Sequence, residues 1–190
     1  MGDGLRVTGG RWLGKKIICP VGGRMRPTCD MHRQRLFNWL GDAIEGAEVL
    51  DLFAGSGILS WEALSRGASY VTMVELDSKT LRHLYYYRRI LGLCEQVEIV
   101  AAKLPSRLNR VPRKPYSLIF MDPPFGHDLV VVTCDALIGG GYVASTTMVY
   151  LECESRLSIE VLLDVGWCIN RQTVSGGVAQ YLLQYCGVNI

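Results

Sequence analysis

The apolar run at residues 48–53 is followed directly by two closely spaced glycines and then by a helix-forming segment, and no other feature constrains the fold as strongly. A buried strand, a glycine turn and a helix together form the opening unit of a parallel sheet. Further strand patterns follow at 70–75, 97–100 and 118–121, with a helical pattern at 78–91. Strands that alternate with helices of about ten residues predict an α/β fold, in which a mainly parallel sheet is covered on both faces.

The C-terminal part extends this pattern. Residues 129–151 are apolar over a length that could cross a bilayer, but the triplet Gly139-Gly140-Gly141 and the polar run 145–147 interrupt them. We interpret this stretch as a buried helix, a glycine break and a strand, and we predict no membrane association. The strand patterns at 167–171 and 178–185 are too close together for an intervening helix, which predicts an antiparallel hairpin at the end of the sheet.

Positive charge is concentrated at the N-terminus, although the whole chain carries a net charge of only +2. Residues 1–40 hold eight Arg and Lys against two Asp, whereas acidic residues are in excess over the rest of the chain. We predict a basic β-hairpin or arm at 1–28 and a single larger domain at 29–190, the latter beginning with a helix near Asp30. A basic arm on an acidic body favours a polyanionic partner.

The seven cysteines are scattered and form no C-x-x-C pair, so the sequence indicates neither a zinc site nor a disulfide framework. The three histidines have no ligand spacing, and no metal is assigned. No secretory leader opens the chain. These features predict a cytoplasmic protein, which we expect to be a monomer.

Gly55 and Gly57 fall in the turn between the first strand and its helix, where glycines let a ligand approach the backbone closely. Glu75 ends the next strand, twenty residues after Gly55, where a carboxylate can accept both hydroxyls of an adenosine ribose. Together they predict a nucleoside-containing cofactor. In the run from Gly55 to Ser60, Ile58 and Leu59 precede the Ser at the sixth position, where a dinucleotide fingerprint has its third small residue, and this disfavours a dinucleotide only mildly. Asp51 could bind an ammonium group, so S-adenosyl-L-methionine is favoured.

The tetrapeptide Asp122-Pro123-Pro124-Phe125 follows the strand at 118–121. The Asp122 carboxylate and the Pro123 carbonyl could accept the two hydrogens of an exocyclic amino group and orient its lone pair. Phe125 could stack on the ring of the base. These residues predict methyl transfer to the amino nitrogen of a nucleobase, with Asp122 also able to remove the proton.

Three segments, 51–57, 74–77 and 122–125, resemble the motifs of class I methyltransferases that act on amino nitrogens and use S-adenosylmethionine. The N-terminal runs 6–16 and 26–40 are similar to those of the RsmD family. That resemblance covers nearly the whole chain. It implies a Rossmann-like, seven-stranded methyltransferase sheet and methylation of the N2 amino group of one guanine of 16S ribosomal RNA, position 966 in the family.

The resemblance also implies roles for individual residues. Asp122, Pro123 and Phe125 would act in catalysis, and the partner would be 16S ribosomal RNA or the assembling small ribosomal subunit. The cofactor residues would be Asp51, Gly55, Gly57, Glu75 and Leu76. The RNA-binding residues would be Arg11, Trp12, Lys15, Lys16, Arg24, Arg26 and Arg33. Lys103 stands where a polar residue often reaches the cofactor adenine, and its role there stays open.

Other functions use parts of the same pattern. An adenine-N6 methyltransferase acting on DNA or RNA has a similar tetrapeptide, and only the N-terminal resemblance disfavours it. A nucleotide-dependent oxidoreductase would use the same first half of the sheet. An RNA-binding module without catalysis would keep the basic arm but would not need Asp122.

Overall fold

A seven-stranded sheet forms the centre of the computed structural model, which describes residues 4–18, 30–126 and 128–187. In chain order the strands are β1 (Gly4–Arg6), β2 (Lys16–Ile18), β3 (Glu48–Asp51), β4 (Tyr70–Glu75), β5 (Val97–Ala101), β6 (Leu118–Met121), β7 (Met148–Glu154), β8 (Trp167–Ser175) and β9 (Val178–Tyr185). The α-helices are α1 (Asp30–Leu40), α2 (Ile58–Ser65), α3 (Ser78–Ile90), α4 (Leu129–Gly140) and α5 (Glu160–Leu163). Short 3₁₀ segments lie at Gly10–Trp12, Gly41–Ile44 and Leu108–Arg110.

The strand order across the sheet is β5-β4-β3-β6-β7-β9-β8. The first five strands in this order pair in parallel, and β9 is antiparallel to both of its neighbours. The predicted α/β class, the parallel sheet and the antiparallel C-terminal hairpin are therefore confirmed. The hairpin joins the sheet through its second strand, because β9 rather than β8 pairs with β7.

Each face of the sheet buries its own apolar cluster. Leu118 and Phe120 of β6 pack on the side of α1, α2 and α3, whereas Ile119 and Met121 pack on the side of α4 and α5. This alternation follows from the two-residue period of a strand. We refer to the two sides as the α1–α3 face and the α4–α5 face.

The long apolar stretch predicted to fold back inside the protein does so. It forms α4, which ends at Gly140 and is capped by Gly141 in the left-handed conformation (φ 74°), and then β7. Among the residues that the structure describes, no helix has the length and apolarity needed to cross a membrane.

One covalent link was not expected from the sequence. Cys168 of β8 and Cys186, just after β9, form a disulfide across the last two strands. Cys94, Cys134 and Cys153 are free thiols among the described residues.

β1 and β2 form an antiparallel hairpin that packs onto the main body. Val7 and Ile17 are buried in the apolar cluster of the α1–α3 face. The Ile18 amide also donates a hydrogen bond of 2.8 Å to the hydroxyl of Tyr87 on α3. The division of the chain at residues 28 and 29 remains a prediction, because that point lies outside the described residues.

A buried cluster of charges ties this hairpin to α1 and α2. The Glu62 carboxylate is fully buried and lies 3.0 Å from Arg33 Nε and 2.8 Å from Arg66 Nη2. It also accepts a hydrogen bond from the backbone amide of Thr8. A second contact joins Arg33 to Asp30 on α1 at 2.8 Å.

This cluster corrects the RNA-binding prediction for Arg33. Its side chain has no exposed surface and its guanidinium is held by carboxylates, so it has no face on which RNA could lie. Arg33 instead neutralises Glu62, because a buried charge without a partner is strongly unfavourable.

We predict that Glu62→Gln lowers the free energy of unfolding by about 3–5 kcal/mol, because it removes the fully buried negative charge that neutralises Arg33 and leaves only the more exposed Asp30 carboxylate of the pair described above. Urea denaturation measures the loss. Glu154→Gln is the matched control, since Glu154 pairs with Arg156 at an exposed site and its removal should change stability by less than about 1 kcal/mol. Equal effects of the two substitutions would contradict the structural role of Glu62.

Candidate active site

Three neighbouring parallel strands bring the predicted cofactor and base residues to one edge of the sheet. In the strand register, Asp51 of β3 lies beside Met73 of β4 on one side and Phe120 of β6 on the other. Glu75 and Asp122 each lie two residues beyond these partners. The three carboxylates therefore lie at the carboxyl ends of adjacent strands, where ligands of open α/β sheets bind.

The turn after β3 is held against the end of β4. The Ala54 amide donates to the Val74 carbonyl, and the Gly55 amide donates to Glu75 Oε2, both at 3.0 Å. Gly55 and Gly57 both have positive φ, at 53° and 75°, a conformation that L side chains rarely adopt. The predicted glycine turn and Glu75 are therefore in direct contact.

Close packing is a second reason why position 57 requires glycine. A Cβ at this position would lie 2.5 Å from Trp61 Nε1 and 2.8 Å from Leu84 Cδ2, closer than atoms can approach. The Trp61 indole is itself fixed, since it donates to the Ser56 carbonyl at 3.1 Å. The absence of a side chain at Gly57 therefore lets α2 begin close to α3. This packing requirement does not depend on a ligand at the edge of the sheet.

Glu75 is oriented by three backbone amides. Besides Gly55, the amides of Leu76 and Asp77 donate to its Oε1 at 2.6 and 2.8 Å. A carboxylate has about four acceptor sites, so Glu75 retains capacity for a further donor such as a hydroxyl. The side chain of Leu76 is 61% exposed beside it and offers an apolar surface at the same edge.

Asp51 is buried beneath this edge. Its Oδ2 accepts a hydrogen bond of 2.6 Å from the Ser60 hydroxyl on α2, a partner that the sequence alone did not indicate. Burial raises the pKa of Asp51 to about 7, an effect that the Ser60 hydrogen bond opposes and the nearby charge of Glu75 reinforces. A cationic ligand group beside Asp51 would favour its ionised form.

The last three residues of the tetrapeptide after β6, Pro123, Pro124 and Phe125, border a cavity of about 300 Å³, at the lower end of the size range of small-molecule sites. Asp122 and Phe125 are half-buried, Pro123 is buried and Pro124 is exposed. The cavity wall is mainly apolar and is completed by α4 and the end of β7; it includes Pro123, Pro124, Phe125, Val130, Cys153 and Leu157.

The predicted RNA-binding residues divide into four groups. Arg11, Lys15 and Lys16 are exposed on the hairpin. Trp12 is half-buried against the α1–α3 core, and the Arg11 guanidinium lies 4.2 Å from its ring centroid, so its ring is not freely exposed for base stacking. Arg24 and Arg26 lie outside the described residues, and Arg33 is buried, as described above.

A polar cluster beside Asp122 was missed by sequence reasoning. It centres on Glu152 of β7, and its other members are His32, Tyr150 and Gln180. A signal was present, because Glu152 follows an apolar run much as Asp51 and Glu75 do in β3 and β4. The acidic strand end was not connected with the site, since the position of β7 next to β6 could not be read from the sequence.

We predict that Asp51 makes stability depend on pH around neutrality. Its folded-state pKa of about 7 lies above the ordinary value of 3.8, so the folded chain holds this proton more tightly than the unfolded chain. The resulting stabilisation is fully present below about pH 4 and is lost as the pH rises through about 7.

Asp51→Asn should therefore lose less stability than the parent between about pH 5 and about pH 8. Urea denaturation of both proteins across this pH interval measures the difference between their free energies of unfolding. Groups that titrate in both proteins cancel in that difference. Parallel curves for the two proteins would show that Asp51 ionises normally in the fold.

Comparison with known proteins agrees with this architecture over almost the whole chain. A family model described as "Conserved hypothetical protein 95" matches residues 5–184. Ribosomal RNA small subunit methyltransferase D of Escherichia coli K12 is 35% identical over 180 residues, which cover 95% of this chain and 89% of the relative. The protein of the same name from Haemophilus influenzae is 31% identical over 182 residues, covering 95% and 93% of the two chains.

Solved structures give the same result. The Escherichia coli protein yhhF superposes with a TM-score of 0.84 at 35% identity, covering 98% of this chain and 100% of that one. The sequence comparison and the structural comparison therefore assign this chain to the same family. The chain belongs to the RsmD family, the group of ribosomal RNA small subunit methyltransferase D.

Proposed function

We propose that this protein methylates the exocyclic N2 amino group of a specific guanine in 16S ribosomal RNA, with S-adenosylmethionine as the methyl donor. One observation carries the proposal: the glycine turn with Glu75 and the Asp122–Phe125 tetrapeptide lie on adjacent strands at the same sheet edge. The named activity of the family's relatives, ribosomal RNA small subunit methyltransferase D, supports the substrate class.

The residues at this edge fit S-adenosylmethionine. Glu75, fixed by three amides, would accept the ribose hydroxyls, and Leu76 would contact the adenine. Gly55 and Gly57 would admit the ligand close to the backbone, and Asp51 would attract its ammonium group. The bound cofactor supplies an electrophilic methyl group on a positively charged sulfur.

A dinucleotide fits the same edge less well. The fingerprint of such sites places a third small residue, usually glycine, at the start of the helix to allow close packing on the strand. Here that position is Ser60, whose hydroxyl is bound to Asp51. Ser60 is itself small and packs against β3, so this position disfavours a dinucleotide only mildly, and it is chiefly the family that disfavours the oxidoreductase alternative.

Asp122 and Pro123 would hold the amino group of the target base. An exocyclic amino nitrogen is a weak nucleophile, because its lone pair is delocalised into the ring. Hydrogen bonds from its two protons to the Asp122 carboxylate and the Pro123 carbonyl would favour a pyramidal nitrogen with an available lone pair. Phe125 would stack on the ring, and Asp122 would accept the proton that the nitrogen releases.

The hairpin would contact the RNA backbone. Arg11, Lys15 and Lys16 are exposed there and carry three positive charges on a short stretch of surface. Phosphate contacts of this kind supply affinity without sequence information, so the choice of base must be made at the sheet edge.

The function itself is tested by the modification that the enzyme leaves on ribosomal RNA. We expect nucleosides of 16S ribosomal RNA from cells lacking the gene to lack one N2-methylguanosine, which purified protein and S-adenosylmethionine restore. Mass spectrometry of the nucleosides measures both the loss and the restoration of N2-methylguanosine. Loss of N6-methyladenosine instead would support the adenine-N6 alternative, and an unchanged set of nucleosides would contradict the proposal.

We predict that Asp122→Ala and Glu75→Ala fail in different ways. Asp122→Ala should reduce turnover by about 100-fold or more while S-adenosylhomocysteine affinity stays within about twofold, because Asp122 acts on the base. Glu75→Ala should weaken cofactor affinity by about tenfold or more, because it removes a charged acceptor.

Isothermal titration and methyl-transfer assays separate these two effects. Asp135→Ala is the control for an exposed acidic residue on α4 and should change neither quantity. A turnover loss below about tenfold for Asp122→Ala, equivalent to about 1.4 kcal/mol, would exclude its base-holding role.

We predict that replacing Arg11, Lys15 and Lys16 with Ala weakens RNA binding and flattens its salt dependence by about two units in a plot of log affinity against log salt. The physical reason is that each phosphate contact releases counterions from the RNA when it forms, so a variant with fewer contacts releases fewer counterions on binding. Replacing Arg171, which is exposed on the edge strand β8, is the control. A parental salt slope in the hairpin variant would place the RNA surface elsewhere.

A further inference from the structure

Glu152 of β7 lies beside Asp122 at the carboxyl edge of the sheet. In the parallel register of β6 and β7, Phe120 lies beside Tyr150 and Met121 beside Leu151, so Asp122 and Glu152 are the next residues along the two chains. Burial raises the pKa of Tyr150, and the negative charges of Glu152 and Asp122 raise it further, as expected for neighbours at this edge.

The Glu152 carboxylate is held in one orientation. Its side chain is 9% exposed, and its Oε2 accepts a hydrogen bond of 2.8 Å from the Tyr150 hydroxyl. His32 Nδ1 on α1 lies 3.5 Å from the same oxygen. The other oxygen, Oε1, makes no hydrogen bond to any residue that the structure describes.

A hydrogen-bonded chain fixes the Tyr150 hydroxyl in turn. Gln180 Nε2 donates to this hydroxyl at 2.5 Å, so the hydroxyl proton points to Glu152. Gln180 Oε1 accepts from Arg35 Nη1 at 2.7 Å. Burial raises the pKa of Tyr150 well above its usual value, so the hydroxyl remains a donor. Three elements, α1, β7 and β9, thus orient one carboxylate.

Two carboxylates on neighbouring strands match the hydrogen-bonding edge of guanine. Guanine presents the N2 amino group and the N1–H side by side, both as donors, whereas the N1 of adenine is an acceptor. Strands lie about 4.8 Å apart, so Asp122 and Glu152 can converge on adjacent donors of one base. A carboxylate facing the N1 of adenine would place two acceptors against each other.

We propose that Glu152 accepts the N1–H of the target guanine and thereby selects guanine over adenine. This inference rests on the proposed function and assigns the choice of base to a residue that does not take part in the methyl transfer. Tyr150 and Gln180 are positioning residues, because they act through Glu152.

2-Aminopurine tests the assignment, because it keeps the 2-amino group of guanine but has an acceptor at N1. The probe is 16S RNA, as a fragment or in reconstituted subunits, whichever the parent enzyme methylates, with guanine or 2-aminopurine at the modified position. Affinity for both RNAs is measured with S-adenosylhomocysteine bound, and kcat/KM with S-adenosylmethionine.

The parent should prefer guanine by about tenfold or more. In Glu152→Gln the amide can donate to the N1 of 2-aminopurine, so the preference should fall to within about threefold. Because both RNAs are compared on each protein, general damage to the fold cancels in the ratio. Glu98→Gln, a half-buried glutamate on the edge strand β5, is the matched control and should keep the parental ratio.

Tyr150→Phe provides a second test if Glu152→Gln does not fold. It keeps the carboxylate but removes its orienting donor, so the preference for guanine should fall severalfold. An unchanged ratio in the folded variants would overturn the role of Glu152. A parent enzyme that does not methylate guanine at all would instead overturn the proposed function, so the two failures are distinguishable.

Discussion

The parallel pairing of β3 with β4 on one side and β6 on the other is the constraint on which the candidate site depends. It places Asp51, Glu75 and Asp122 at one edge, although they are separated by up to about seventy residues along the chain. The hydrogen bond between the Gly55 amide and Glu75 then fixes the turn after β3 against the end of β4. A register shift of one residue in either pair would turn these side chains to the opposite face of the sheet.

Several residues at this edge serve both the fold and the site. Gly57 allows the close packing of Trp61 and Leu84 and also leaves the backbone open to a ligand. Glu75 orders the glycine turn while keeping acceptor capacity for a hydroxyl. Substitutions at such positions affect stability and ligand binding together, so the two effects need separate measurements.

The sequence predicted β4 and β6 to the residue, because a short apolar run between turn residues defines a buried strand. It also predicted the glycine turn and the Asp122 tetrapeptide, whose geometry is set by local backbone chemistry. The order of β7, β9 and β8 could not be predicted, since pairing between distant strands leaves no local pattern. The cluster around Glu152 was missed for the same reason.

Arg33 shows how a nonlocal partner changes the interpretation of one residue. A signal was available, because Arg33 shares its helical face with Leu36, Phe37 and Leu40, which are all buried. A charged residue on an apolar stripe needs a buried counter-charge, and Glu62 lies 29 residues away on another helix. Sequence periodicity identifies the buried face of a helix but not the carboxylate that makes a buried arginine tolerable.

The anchoring of the N-terminal hairpin has a consequence for how a large RNA would be engaged. Val7 and Ile17 insert into the same core as α2 and α3, and Ile18 is bonded to Tyr87. The backbone that carries Arg11, Lys15 and Lys16 is therefore fixed before any ligand binds, and RNA binding there would cost little conformational entropy of the backbone. If the hairpin contacts RNA as proposed, it would favour a folded RNA of matching shape over a flexible single strand.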